Sequence, residues 1–248
     1  MPIYPDLRGR LVLITGGANG IGAAMVRAFH AQEARISFCD IDVRAGKRLA
    51  KELAPRAQFH EVDLERERDI KDWILDAGTH SEAIHTLVNN AASDPRIPLE
   101  ETSAKAWDQL FARNLRAYFL TCREASKWMT ERSSVINLAS ITFHNAPAYM
   151  TAYVATKAGI IGFTRALARE LGPRRIRANV ISPGWTMTER QLKQYVTAAK
   201  KRMIRSEQCI PDLIQPSDIA EIVLFLASDA STALTGQEIL ADRGWRFS

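Results

Sequence analysis

Leu11-Val12-Leu13-Ile14-Thr15-Gly16-Gly17-Ala18-Asn19-Gly20-Ile21-Gly22, followed by Ala23-Ala24-Met25-Val26-Arg27-Ala28-Phe29, decides how the rest of the chain is read. A short apolar, β-branched run enters a glycine-rich turn and leaves it as a helix-forming segment. Residues without a Cβ permit the tight turn and the close approach of backbone to a pyrophosphate, while a helix N-terminus offers unpaired N–H groups and partial positive charge. Strand, glycine turn and helix in this order point to a dinucleotide. Gly16, Asn19, Gly20, Ile21 and Gly22 are the candidates to hold its phosphates.

Outward from this turn, short β-rich runs alternate with longer helical stretches. Strands are expected at Arg10 to Thr15, Ala34 to Asp40, Gln58 to Asp63, Thr86 to Asn90, Ser134 to Ala139, Arg177 to Ser182 and Gln237 to Ala241. Helices are expected near Gly20 to Gln32, Val43 to Leu53, Glu65 to Gly78, Ser103 to Met129, Ala152 to Leu171 and Ser217 to Ala227. Pro216-Ser217-Asp218 starts the last of these, and Leu171-Gly172-Pro173 closes the one before it. No linker, repeat or low-complexity segment interrupts the series. The predicted fold is therefore an α/β single domain over residues 1–248: a Rossmann-type, doubly wound, seven-stranded parallel sheet with helices on both faces. Residues 188–214 break the alternation after a Pro-Gly turn and are expected to form a lid.

Of 248 residues, 46% are hydrophobic and 25% charged, ordinary values that exclude disordered, collagen-like and disulfide-scaffold classes. Apolar stretches such as Ile222 to Ala227 fall far short of the ~20 residues of a membrane span. The N-terminus lacks the apolar core of an export signal, so a cytoplasmic location is expected. Cys39, Cys122 and Cys209 show no metal-ligand spacing, and each reads most simply as a small buried side chain. No metal site is expected. The formal charge of +5 raises nucleic acid as a partner, but the basic residues are dispersed and their densest group, Lys193 to Arg205, is interleaved with apolar residues. A solvated face, with no nucleic-acid or membrane partner, is the expectation.

Asp40 closes the second strand, 18 residues after Gly22, where a carboxylate can accept from both adenosine ribose hydroxyls and would repel a 2′-phosphate. NAD is the expected cofactor; Arg35 and Arg44 are close enough in sequence to leave NADP open. Tyr153 and Lys157 stand at i and i+4, on one face of a predicted helix. A phenol with pKa near ~10 is a poor base at neutral pH, and a neighbouring ammonium acts to lower it.

Thr15 to Gly22, Asn89-Asn90-Ala91-Ala92, Asn114, Ser140, Tyr153, Lys157 and Pro183-Gly184-Trp185-Thr186-Met187-Thr188 occur in the order and spacing of the short-chain dehydrogenase/reductase family, which the chain resembles from about Leu7 to Trp245. Asn89 to Arg96, Arg165 to Pro173 and Asp242 to Arg246 look most like bacterial NAD-dependent sugar 1-dehydrogenases of the xylose dehydrogenase kind. The resemblance implies that Tyr153 is the general base, that Lys157 lowers its pKa and holds the nicotinamide ribose, that Ser140 bonds the reacting oxygen, and that Asn114 anchors a water chain from Lys157 to solvent. It also places Ile41, Asp63, Leu64, Asn89, Ala91, Pro183, Gly184, Thr186 and Thr188 against the cofactor, with Asp63 at the adenine amine. Homotetramer assembly is a further implication.

Ala92 and Arg243 stand where the family commonly has glycine. For the substrate, Ser93-Asp94-Pro95-Arg96 follows strand four at the nicotinamide end of the cleft, where a stiffened loop can present an acceptor and a forked donor to sugar hydroxyls. Gln191 can approach from the lid, and Trp185 and Asn145 complete the expected pocket with Ser140 and Tyr153. These residues predict oxidation of an aldose at C1, with L-arabinose and D-xylose as first candidates and a lactone as product. A carbonyl reductase or alcohol dehydrogenase for acyl or other hydroxy compounds is the alternative. A non-catalytic nucleotide sensor would be expected to have lost Tyr153 or Lys157.

Overall fold

A computed structural model of the protein describes residues 2–81 and 83–247. The strands are β1 (Leu11–Thr15), β2 (Arg35–Asp40), β3 (Ala57–Glu61), β4 (Thr86–Asn89), β5 (Ser134–Leu138), β6 (Arg177–Pro183) and β7 (Glu238–Ala241). All pair in parallel, in the order β3-β2-β1-β4-β5-β6-β7. The helices are α1 (Gly20–Ala31), α2 (Val43–Glu52), α3 (Glu67–Thr79), α4 (Ala104–Phe111), α5 (Ala117–Ala125), α6 (Thr142–Asn145), α7 (Thr151–Leu171), α8 (Glu189–Gln194), α9 (Ala198–Glu207) and α10 (Pro216–Ala227). The protein is a single α/β domain of the predicted kind, and each expected strand forms to within two residues at either end.

Period-two alternation sorts the strand side chains into two cores. Val12 and Ile14 of β1 join one core with Met25 and Phe29 of α1 and Val223 and Leu224 of α10. Leu11 and Leu13 join the other with Ile70 and Trp73 of α3 and Leu120 of α5. The sheet is thus covered on both faces, and ligands are left its carboxyl edge. Between β1 and β4 the strand order reverses, which opens a crevice at that edge.

Two expectations are corrected. The single helix read over Ser103 to Met129 is broken: α4 passes into a π-helical turn over Ala112–Arg116, α5 follows, and the helical stretch ends at Ala125. A π turn adds a residue to the turn and so re-aims its side chains, here turning Asn114 inward with no exposure. Cys39 and Cys122 are buried as expected, whereas Cys209 is exposed. No helix among the described residues is long and apolar enough to cross a membrane.

The stretch after β6 carries α8 and α9, each opened by a threonine whose hydroxyl accepts a backbone N–H of the first turn: Thr188 from Gln191 and Thr197 from Lys200, both at 3.2 Å. Beneath them Met187, Val196 and Ile204 form a small core of their own with Ile141 and Trp245.

Candidate active site

The glycine turn joins β1 to α1 at the crevice. Gly16 and Gly20 adopt left-handed φ values of 65° and 54°, and a Cβ on Gly22 would stand 1.9 Å from the Gly16 carbonyl oxygen. The turn is pinned from β4: Asn90 donates its Nδ2 to the carbonyls of Thr15 and Gly16 at 3.0 Å, and Thr15 Oγ1 accepts the N–H of Asn90 at 3.0 Å and of Ala91 at 3.2 Å. Asn19 precedes α1 without capping it. The first N–H groups of a twelve-residue helix are therefore left for an anion. Gly16, Asn19, Gly20, Ile21 and Gly22 all line one cleft of about 1140 Å³, so the turn fits a dinucleotide pyrophosphate.

Asp40 lines the same cleft, as do Ile41, Asp63 and Leu64. Its carboxylate also builds the turn, accepting Ala18 N–H at 3.1 Å and Asp42 N–H at 3.0 Å. Arg35 lies at the other end of β2, paired in register with Leu11, and donates Nε to the Gly9 carbonyl at 3.0 Å. Arg44 is exposed on α2, and the Asn19 amide turns to Asp42 at 3.0 Å.

Asn89 does not reach the cleft. It is fully buried in a polar chain that crosses the sheet: Thr121 Oγ1 donates to Asn89 Oδ1 at 2.7 Å, Asn89 Nδ2 to Asn137 Oδ1 at 2.9 Å, and Asn137 Nδ2 to Thr164 Oγ1 at 2.9 Å. Cys122, beside Asn89, is pushed up to about 12 by burial. The cleft is lined instead by Asn90, Ala91 and Ala92, just past the strand end. Asn90 went unsingled in the sequence although it sits inside the Asn-Asn-Ala stretch, because the pattern does not say which of two adjacent amides faces which side.

Tyr153 and Lys157, both on the first turns of α7, and Ser140, just past β5, face this cleft together. Lys157 is 2% exposed; its Nζ donates to the Leu138 carbonyl at 2.8 Å and lies 5.5 Å from the centre of the Tyr153 ring. Burial brings the ammonium down to about 7, with the Asp94 carboxylate opposing. Burial pushes the Tyr153 phenol up and Asp94 adds to this, while the Ser140 hydroxyl and Arg190 pull it down. Lys157 is thus held near the point where its charge can change, while the Tyr153 phenol is held in its neutral form.

Asn114 stands behind the cleft rather than in its wall. It holds the main chain of Ser93, and its Nδ2 lies 3.4 Å from Oγ1 of Thr156, the residue before Lys157. From Ser93 the loop turns into the cleft, where Asp94 is gripped by α8: its Oδ1 pairs with Arg190 and its Oδ2 accepts Gln191 Nε2 at 3.2 Å. Gln191 Oε1 in turn accepts Trp185 Nε1 at 3.0 Å. The Arg96 guanidinium lies 4.1 Å from the centre of the Tyr195 ring and 5.7 Å from that of Trp185. Asp94, Arg96, Trp185 and Gln191 therefore form one polar and aromatic wall, with Pro183, Gly184, Thr186 and Thr188 at its base. Arg190 and Tyr195 had no motif to mark them. Asn145 also lines the cleft, but its Oδ1 accepts from the Arg246 guanidinium, while the adjacent His144 Nε2 lies 2.9 Å from Glu238.

Residues 16–246 match the family described as enoyl-(acyl carrier protein) reductase. The chain is 38% identical over 247 residues to a probable galactose dehydrogenase of Rhizobium meliloti, covering 97% of this chain and 96% of that one. It is 38% identical to the D-xylose 1-dehydrogenase of Caulobacter vibrioides, covering 98% of each. Among solved structures it matches a short-chain dehydrogenase/reductase, a glucose/ribitol dehydrogenase, of Brucella melitensis at a TM-score of 0.94 and 28% identity, with both chains covered fully. With its glycine turn, its Tyr153 and Lys157 on one helix and these relatives, the chain belongs to the short-chain dehydrogenase/reductase family of NAD(P)-dependent oxidoreductases.

Proposed function

We propose that the protein oxidises C1 of an aldose, an aldopentose such as L-arabinose or D-xylose, with NAD as hydride acceptor and an aldonolactone as product. The observation that carries this reading is the wall of Asp94, Gln191, Arg96 and Trp185 facing the same cleft as Tyr153, a set of donors and acceptors suited to hydroxyls. The sugar dehydrogenases among the relatives support it.

In this reading Tyr153 takes the proton from the C1 hydroxyl and Ser140 donates to the same oxygen. Lys157 favours the phenolate and holds the nicotinamide ribose, and Asn114 keeps the Ser93 loop and the start of α7 in register. A bound dinucleotide would supply the hydride acceptor. Asp40 receives the adenosine ribose hydroxyls, and the positions of Arg35 and Arg44 support NAD over NADP. Residues 188–214 act as a lid over the substrate, and the protein works in the cytoplasm as a homotetramer.

The test is NADH formation across pentoses, hexoses and deoxy sugars, with Tyr153→Phe as control. Turnover of an aldopentose, abolished in the variant while NAD binding persists, is the expected outcome. Apolar alcohols outperforming every sugar would replace this reading by that of a reductase for apolar hydroxy compounds.

A further inference from the structure

The charges along the cleft are unevenly matched. At its adenosine end Asp40 and Asp63 are anionic, and Arg113 is neutralised by Glu65. At the other end Arg190 is neutralised by Asp94, and beside the single further carboxylate of Glu189 the three cations Arg96, Lys193 and Lys200 line the same wall with no salt-bridge partner among the described residues. Arg96 and Lys200 both lie near one ring: the guanidinium is 5.7 Å and the Lys200 ammonium 5.8 Å from the centre of Trp185. Two like charges near one indole raise the positive potential of this wall, which an anion bound there would offset.

Arg96 is also arranged for this. Its guanidinium packs against the Tyr195 ring at 4.1 Å from the ring centre, while its N–H groups find no acceptor among the described residues. A planar fork with free donors is what takes a carboxylate or a phosphoryl group in paired hydrogen bonds. Sugar hydroxyls need acceptors as well as donors. Asp94, bonded once at each oxygen, still offers such acceptors beside Arg190 and Gln191, whereas Arg96 offers donors alone.

We propose that Arg96, Lys193 and Lys200 form a subsite for an acidic group, carboxylate or phosphoryl, carried by the substrate away from the carbon that is oxidised. The inference builds on the aldose reading and narrows it to acidic aldoses. Its experiment compares D-galactose, D-galacturonate and D-galactose 6-phosphate as substrates of the NAD-loaded enzyme, since the three share C1 and differ at the far end. One of the acids is expected to exceed galactose in kcat/KM by about tenfold or more at low salt, and the advantage should shrink as ionic strength rises. Which acid leads separates carboxylate from phosphoryl. In Arg96→Gln the acid-to-neutral ratio should fall towards one.

Galactose equal to or better than both acids in the wild type overturns the subsite and leaves the aldose reading standing. So does a ratio untouched by Arg96→Gln when Lys193→Ala and Lys200→Ala raise only the KM for NAD, since the cations would then serve the cofactor's phosphates. If no member of the series is oxidised and L-arabinose and D-xylose are not oxidised either, the aldose reading falls, and calorimetric titration of the protein with inorganic phosphate and with acetate still decides the subsite. Heat lost in Arg96→Gln supports it, and no binding to the wild type refutes it.

Discussion

Asn114 grips the main chain of Ser93 at both of its polar atoms, accepting the N–H at 2.9 Å and donating to the carbonyl at 2.8 Å. The fully buried side chain of a π turn thereby fixes the root of the loop that carries Asp94 and Arg96. Removing it leaves two backbone groups without partners, at a cost of about 1–3 kcal/mol each where water cannot replace it. Asn114→Ala should lower the Tm by several degrees and reduce sugar kcat/KM about tenfold or more, with KM for the sugar rising. Thermal unfolding and steady-state kinetics measure both. An unchanged Tm with kcat alone reduced would instead favour a proton-relay role over this scaffolding one.

The strands and their layering were legible because the β-runs are bounded by turn residues and the inner ones, such as Leu11 to Ile14, are too apolar to lie anywhere but under helices. The glycine turn and the Tyr153–Lys157 spacing were legible for a similar reason, since local chemistry fixes each. What the sequence concealed are relations between distant segments. Arg190 on α8 meets Asp94 across 96 positions, and Arg96 finds Tyr195; no local pattern selects these partners from the many other residues of α8 and α9. The π turn was hidden because Ser103 to Met129 is helix-forming throughout, and the extra residue per turn is set by the need to bury Asn114. Arg243, noted only as an unusual replacement, adopts a left-handed φ of 57°, the conformation a glycine takes freely, and is held there by Asp218 at 2.9 Å.

Asn89 separates structural from functional roles of the Asn-Asn-Ala stretch. Because it links Thr121 on α5 to Asn137 on β5, Asn89→Ala orphans the buried Asn137 Oδ1, whereas Thr121 Oγ1 keeps the Ala117 and Tyr118 carbonyls. A loss of about 1–3 kcal/mol in urea unfolding is expected, with KM for NAD within about twofold of wild type in the folded fraction. Asn90→Ala should behave oppositely, weakening NAD binding through the slackened glycine turn. Equal effects of the two variants on NAD would show that Asn89 reaches the cofactor after all.

Asp40 has two duties, and its replacement should expose both. In Asp40→Ala the ratio of kcat/KM for NAD over NADP is expected to fall about tenfold or more, chiefly by loss of NAD efficiency. The N–H groups of Ala18 and Asp42 lose their acceptor at the same time, so stability should fall by about 1 kcal/mol, with water replacing part of the loss at this partly exposed position. Wild-type enzyme using NADP as efficiently as NAD would show that the carboxylate does not set the preference.

Asp94 should set the pH range of catalysis. Its negative charge holds the Tyr153 phenol up, in addition to burial, and supports the Lys157 ammonium against the burial that brings it down to about 7. On the proposed mechanism the active form needs Tyr153 able to take a proton and Lys157 charged, and because the phenol lies above the ammonium the two limbs of kcat/KM belong to the pair and not to either residue alone. In Asp94→Asn the phenol loses a proton more readily and the ammonium keeps its own less well, which lowers both values. Arg190, freed of its partner, pushes the same way. The whole bell should therefore move towards acid by about half a unit to one unit instead of merely widening. Gln191→Ala removes a hydrogen bond from the same carboxylate without changing any charge, and should leave both limbs in place while raising the KM for sugar. Limbs that stay fixed in Asp94→Asn, or that move towards alkali, would mean that Asp94 is screened from Tyr153 and Lys157 in the working complex.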